Sequence, residues 1–349
     1  MKAALTVSEK KIEYADVPEP DLKPSQVKIA VHYAGICGSD IHVYRGEFAP
    51  RVTFPVIQGH EFAGVVAEKG RDVKTFEAGD RVCVDPIMSC RRCPACLSGA
   101  YNACGELKLL GIDLDGGFAE YVAADKEQCF KVPDSVSDRD AALVEIFSIG
   151  MHAVTMSRIE PGDKVVVLGT GRVGLAVLSN LMLASCEKIA AVDVSDSKLD
   201  IARSLGVQET INSASVDAID AVARFTGGHG ADCVIECVGE ANLDVVGGEA
   251  PVAQAVEMVR SAGRITLLGQ GLGRYGVFWK KLVWKEATIR TSRVTRGEFP
   301  RVVAMMAQGK FRTGLMVSGE YPLAQAAEAF RLVDREVPDI VKVMLKISR

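Results

Sequence analysis

Four apolar residues, Val165-Val166-Val167-Leu168, lead directly into Gly169-Thr170-Gly171-Arg172-Val173-Gly174. A G-x-G-x-x-G spacing set between a buried strand and a helix-length stretch, here Leu175 to Ala184, fits few architectures. Gly169 permits the tight turn, Gly171 lets a pyrophosphate approach the backbone, and Gly174 lets helix pack close on sheet. The helix N-terminus then offers free N–H groups and a positive dipole end to phosphate. The next apolar run, Ile189–Val192, ends in Asp193, 19 residues beyond Gly174. A carboxylate there accepts hydrogen bonds from an adenosine ribose and repels a 2′-phosphate, so the pattern predicts NAD rather than NADP.

The rhythm around this motif sets the rest of the fold. Beyond Pro161-Gly162-Asp163, apolar runs alternate with helix-length segments: Val165–Leu168, Ile189–Val192, Cys233–Ile235 and Ile265–Leu268. Buried strands separated by crossover helices predict a doubly wound parallel α/β sheet. Upstream, Val27, Ile29, Val31 and Tyr33 alternate as in a half-buried strand, and turns follow closely, as in an irregular barrel. At 349 residues the chain has room for about two domains. The expected division is a β-rich domain over 1–150 and a dinucleotide domain over 151–287. Residues from about 288 either return to the first domain or finish the sheet.

Composition narrows the class. With 41 Lys and Arg against 45 Asp and Glu, the formal charge of -4 gives no reason to expect nucleic acid or an anionic membrane as partner. There is no run near the ~18 apolar residues of a membrane helix, and the first residues carry no signal-peptide core. The expected compartment is the cytoplasm.

Ten cysteines in such a chain suggest metal rather than disulfides. Four fall together as Cys90-x-x-Cys93-x-x-Cys96-x7-Cys104. Four thiolates can close a tetrahedral zinc site with no open position; an iron–sulfur cluster is the competing reading. A second set is Cys37, His60 and Glu61. Thiolate, imidazole and carboxylate can hold zinc with a position left for water or substrate. The alternative is a buried cysteine beside a hydrogen-bonded histidine.

Cys37-Gly38-Ser39-Asp40-Ile41-His42, Gly59-His60-Glu61-Phe62-Ala63-Gly64, the four-cysteine loop, Gly116-Gly117-Phe118-Ala119-Glu120-Tyr121 and the glycine motif stand in the order and spacing of one family. The chain resembles the zinc-dependent medium-chain dehydrogenases over nearly its whole length. Within them it is most similar to the sorbitol and threonine dehydrogenase branch, with Glu145 where liver-type alcohol dehydrogenases carry a cysteine. It departs from the sorbitol pattern in having Ile146-Phe147 after that glutamate, which leaves the polyol assignment open.

The resemblance implies a GroES-like catalytic domain with both zinc sites, completed by about 288–349, a Rossmann domain, and two zinc ions per chain. It also implies a cleft between the domains. Cys37, His60 and Glu61 would bind the catalytic zinc, and Glu145 would ligate it directly or through water; the other reading of Glu145 is a paired buried carboxylate. Cys90, Cys93, Cys96 and Cys104 would hold the structural zinc. Ser39 would relay the substrate proton and His42 extend the relay to solvent. Gly169, Gly171, Arg172, Val173, Gly174, Asp193 and Lys198 would contact NAD.

The implied substrate is a small secondary alcohol, a polyol or a 2-amino-3-hydroxy acid. An anionic hydroxy compound is the alternative if Arg293 or Arg296 faces it, and Phe118 is a further candidate contact. Arg45 and Arg51, between the two ligand motifs, are more often paired with acids than with substrate. A homodimer or homotetramer is expected. A zinc hydrolase would use the same open metal without NAD, and a zinc-binding regulatory module would leave the glycine motif unexplained.

Overall fold

An eleven-residue strand, Gln26–Ile36, organises one of two units in the computed structural model, which describes residues 1–239, 250–271, 273–335, 337 and 339–347. The units are Met1–Glu145 with Thr295–Arg349, and Ile146–Val294. The expected boundaries near 150 and 288 thus fall at 145 and 294.

In the first unit, Gln26–Ile36 pairs antiparallel with Glu61–Lys69 along one edge. Its other edge pairs first with Tyr121–Asp125, along residues 26–30, and then with Lys342–Lys346, along residues 33–36. Arg81–Val84 and Cys129–Lys131 extend the sheet on one side, and Val317–Pro322 on the other. Val27, Ile29 and Val31 are fully buried, as their alternation predicts. Tyr33 breaks the expected series. The ladder shifts register between Val31 and Tyr33, so the inward face passes to Ala34 and Ile36, while the Tyr33 hydroxyl donates to Glu320 at 3.1 Å. One unpaired residue reverses every side chain beyond it.

The shift matters because of where the strand ends. Gly35 stands opposite Glu61 and Ile36 opposite Val343. The end of the central strand therefore meets the beginnings of both antiparallel neighbours, and Cys37, Glu61 and Lys342 come from that one corner.

In the second unit, six parallel strands lie in the order Glu209–Asn212, Lys188–Asp193, Lys164–Leu168, Ala231–Glu236, Val259–Leu267, Thr288–Thr291. The order reverses between Lys164–Leu168 and Ala231–Glu236, and ligands bind at such a switch point, beyond the carboxyl ends of the strands. Val165, Val166 and Val167 are fully buried, as strands covered on both faces require. The last stretch does both things the sequence left open: Thr288–Thr291 finishes this sheet, and residues from Thr295 rejoin the first unit. Among the described residues, no helix is long and apolar enough to cross a membrane.

Candidate active site and metal centres

Cys37 is the N-cap of the helix Gly38–Tyr44, and Asp40 closes that turn by accepting the Cys37 N–H at 2.7 Å. The positive end of a helix favours a thiolate there. Asp40 is fully buried and also lies 3.4 Å from His60 Nδ1, within ion-pair range. His60 Nε2 faces the opposite way, 3.3 Å from Ser39 Oγ. One ligand atom each from Cys37, His60 and Glu61 lies within 4.8 Å of the others. A carboxylate behind the far nitrogen of an imidazole orients the ring and fixes its tautomer for a metal.

Glu61 has a second partner that the sequence does not announce. Lys342 Nζ donates to Oε1 and Oε2, each at 2.7 Å, and to the Ile36 carbonyl at 3.3 Å. Both side chains of the pair are fully buried. Burial opposes ionisation of Glu61 most strongly, but Lys342 and His60, with Cys37, together hold the carboxyl below its ordinary range.

Glu145 lies outside the 4.8 Å cluster. It sits in the first turn of Val144–Ser157, 3% exposed, and its Oε2 has no hydrogen-bond partner. Burial first, and the Glu61 charge second, push its carboxyl well above the usual range. The donor set is thus one thiolate, one imidazole and one carboxylate, with an orphaned buried oxygen nearby. The acidic side chains of Cys37, Glu61 and Glu145 thus share a single ammonium, that of Lys342, and a cation among them would favour the ionised form of each. Sulfur with nitrogen and oxygen among the donors suits zinc.

The four-cysteine loop gathers Cys90, Cys93, Cys96 and Cys104 within 4.8 Å. Cys93 and Cys96 sulfurs are 3.5 Å apart, and Cys90 and Cys96 sulfurs 3.9 Å. Sulfurs ~2.3 Å from a tetrahedral zinc stand about 3.8 Å from each other, whereas thiolates on separate irons of a cluster stand further apart. Backbone N–H groups of Cys90, Cys93 and Glu106 point at sulfurs from 3.3 to 3.4 Å, supporting the charge of thiolates. Among the described residues, which include all ten cysteines, no disulfide is formed.

In the second unit, Gly169 has φ +88°, and a Cβ on Gly174 would stand 1.8 Å from the Gly169 carbonyl oxygen. At Gly171, the N-cap of Arg172–Leu181, a Cβ would meet nothing within 4 Å. The turn and the packing leave no room, and the position facing outward is open, as a pyrophosphate requires. Thr170 is fully buried with an unpartnered hydroxyl. Asp193 accepts from Thr170 N at 2.6 Å and Ser195 N at 3.0 Å, one bond per oxygen, so each oxygen keeps capacity for a ribose hydroxyl. Arg172 and Val173 are half-buried in the first turn, as is Lys198 one helix later, where its N–H bonds the Ser195 cap at 3.5 Å. The residues fit a dinucleotide.

The remaining candidates separate. His42 pairs with Glu47, stacks on Phe48 at 5.9 Å, and is 39% exposed. Arg45 is held by Asp334 at 2.6 Å and Arg51 by Asp113 at 2.7 Å, so both serve structure. Phe118 is corrected: it is 1% exposed, edge-on to Phe330 at 5.7 Å, and part of the core rather than a surface a substrate can touch. Arg293 and Arg296 are exposed and fall in different units. Asp40 and Lys342 are the participants that sequence reading passes over. Asp40 lies inside the Cys37 motif, but Lys342 stands 281 positions from Glu61 with no motif of its own.

Residues 23–134 match the family model of the alcohol dehydrogenase GroES-like domain, and residues 173–308 that of the zinc-binding dehydrogenases. The chain is 30% identical to sorbitol dehydrogenase of Bacillus subtilis, over 100% of this chain and 98% of that one. It is 34% identical to (R,R)-butanediol dehydrogenase of the same organism, over 94% of each. A solved alcohol dehydrogenase of Escherichia coli CFT073, complexed with NADH, superposes with a TM-score of 0.92 at 28% identity, over 99% of each chain.

Proposed function

Because the chain belongs to the zinc-binding, GroES-like alcohol dehydrogenase family, and is a zinc- and NAD-dependent alcohol dehydrogenase, we propose that it interconverts a neutral polyol or vicinal diol with the corresponding ketone. One observation carries the choice. Beside the metal donors the ammonium of Lys342 is spent on both oxygens of Glu61, so it does not draw an anion, and the site asks its substrate for hydroxyl oxygens. The relatives that act on sorbitol and butanediol support the same class. Arg45 and Arg51 are already taken by carboxylates, which weakens the anionic alternative.

The catalytic zinc, when bound, supplies Lewis acidity that lowers the pKa of an alcohol oxygen toward neutrality. Cys37, His60 and Glu61 hold it, with Glu145 as a fourth ligand, direct or through water; the four-cysteine loop holds the structural ion. Asp40 fixes the His60 ring. Ser39, beside the ligand face of that ring, takes the hydroxyl proton and passes it to His42, whose exposed ring meets solvent. Gly169, Gly171 and Gly174 seat the pyrophosphate, Arg172, Val173 and Lys198 flank it, and Asp193 binds the adenosine ribose.

Ten cysteines without a disulfide among them fit a reducing cytoplasm. A homo-oligomer is supported by the exposed Phe278, Trp279, Val283 and Trp284 around one short helix, large apolar side chains that a partner surface could cover; light scattering on the purified protein decides it.

The substrate class is tested by kcat/KM for sorbitol, 2,3-butanediol and an anionic 3-hydroxy acid in wild type, Arg293→Ala and Arg296→Ala. Neutral substrates should dominate, with both variants near wild type. A dominant anionic substrate, lost selectively by about 2–3 kcal/mol in either variant, would overturn the neutral assignment.

A further inference from the structure

The Glu61–Lys342 pair is buried without exposure on either side. Two charges in such a place are usually no more stable than well-packed apolar residues, because desolvation offsets their attraction. A use beyond stability is therefore the question the pair poses. Its geometry is specific. An ammonium has three donors, and Lys342 directs them to both Glu61 oxygens and to the carbonyl of Ile36. Ile36 immediately precedes Cys37, so one side chain ties the backbone of one metal ligand to the carboxylate of another. The slot is tight: a Cβ on Gly35 would stand 2.5 Å from Glu61 Oε2. Glu61 cannot move toward that strand, and what its oxygens offer a metal is what Lys342 leaves.

We propose that Lys342 is a positioning residue that shares Glu61 with the catalytic metal, weakening this carboxylate's hold so that the ion stays Lewis acidic and its outer position exchangeable. The inference rests on Cys37, His60 and Glu61 being the metal's holders. Two effects act when the cation is removed. Loss of orientation loosens the ligand, whereas loss of a positive charge beside a cation, together with release of two carboxylate oxygens, tightens it. Because Glu61 and Lys342 are both fully buried, solvent does not screen the charge effect between them, and it is the larger.

The test uses the intact enzyme. Mild chelation empties the open site, Co2+ refills it, and two readouts follow: the rate of metal loss to excess chelator, and the visible absorption bands that report ligand number. Lys342→Met and Lys342→Gln should each lose metal ~10-fold more slowly than wild type, a size typical of changes behind a ligand, and should shift the bands. Lys342→Arg, which keeps the charge, should return both readouts toward wild type. Lys342→Gln carries the test if Lys342→Met does not fold. Unchanged or faster loss in the neutral variants, with unchanged bands, would overturn the proposal and leave Lys342 a structural residue. A wild type that takes up no Co2+ at this site would overturn the metal assignment itself, which is a separate result.

Discussion

Cys37 is the residue on which the chemistry of the first unit turns, and its replacement separates metal from cofactor. Cys37→Ser should abolish turnover and lower the zinc content by one ion, while NADH fluorescence enhancement stays near wild type, because the glycine loop belongs to the other unit. Asp193 makes a different discrimination. A 2′-phosphate beside this carboxylate sets like charges in contact, at about 2–4 kcal/mol, so NAD should be preferred by a factor of ~30 to ~1,000 in kcat/KM. Asp193→Ser should narrow that gap, and a wild type equally active with NADP would show that the acid does not face the ribose. Both residues were legible because each sits inside a short motif with its own chemistry. Lys342 was not. A lone lysine before an apolar strand reads as surface, and only pairing with Gln26–Ile36 brings it beneath Glu61.

At the scale of elements, the turn Gly169–Gly174 and the helix Arg172–Leu181 behave as one device. Gly174→Ala places a methyl 1.8 Å from a backbone oxygen, so the helix must leave the sheet. A cost of ~2–3 kcal/mol follows from overpacking of this kind, visible as a lower Tm together with loss of NADH binding. The cysteine loop is a second device, closed where the other metal site is open. Metal analysis during mild chelation should find two zinc ions per chain, one lost early with all activity and one retained until the fold fails. Iron in place of zinc, or simultaneous loss of both ions, would count against the two-site assignment. The apolar strands of the parallel sheet were readable because burial on both faces demands continuous Val, Ile and Ala. Glu209–Asn212 and Thr288–Thr291 are edge strands, short and polar, and carry no periodicity to find. The bulge near Val31 was invisible for a related reason: a register shift is decided by the partner strand, not by the strand's own residues.

For the whole molecule, stability should depend on pH through Asp85. This carboxyl is 7% exposed, accepts from the Thr295 hydroxyl at 3.1 Å, and burial raises it to about 7 from 3.8. A carboxyl raised by folding binds its proton more tightly in the native state than in the unfolded chain. Native stability therefore falls as pH climbs from about 4 to about 7 and levels off above. At 1.36 kcal/mol per unit the loss is on the order of 4 kcal/mol at pH 8. Asp85→Asn should raise Tm at pH 8, and its advantage should shrink toward pH 5; an advantage independent of pH would show that Asp85 does not titrate with folding. Thr295, its partner, is the first residue of the segment that returns to the first unit.

That return imposes an order on synthesis. All six strands of the parallel sheet lie between Lys164 and Thr291, whereas the sheet of the first unit needs Val317–Pro322 and Lys342–Lys346. A chain leaving the ribosome can therefore finish its inserted unit while the host unit is still missing two strands. The side chains of Cys37, His60 and Glu61, which we propose hold the metal, emerge early, and Lys342 emerges near the end. Until then Glu61 has no counter-ion, so a nascent chain would meet its metal with an unshared carboxylate. The ion would be captured tightly first, and loosened to its working state only when the final strand closes the sheet.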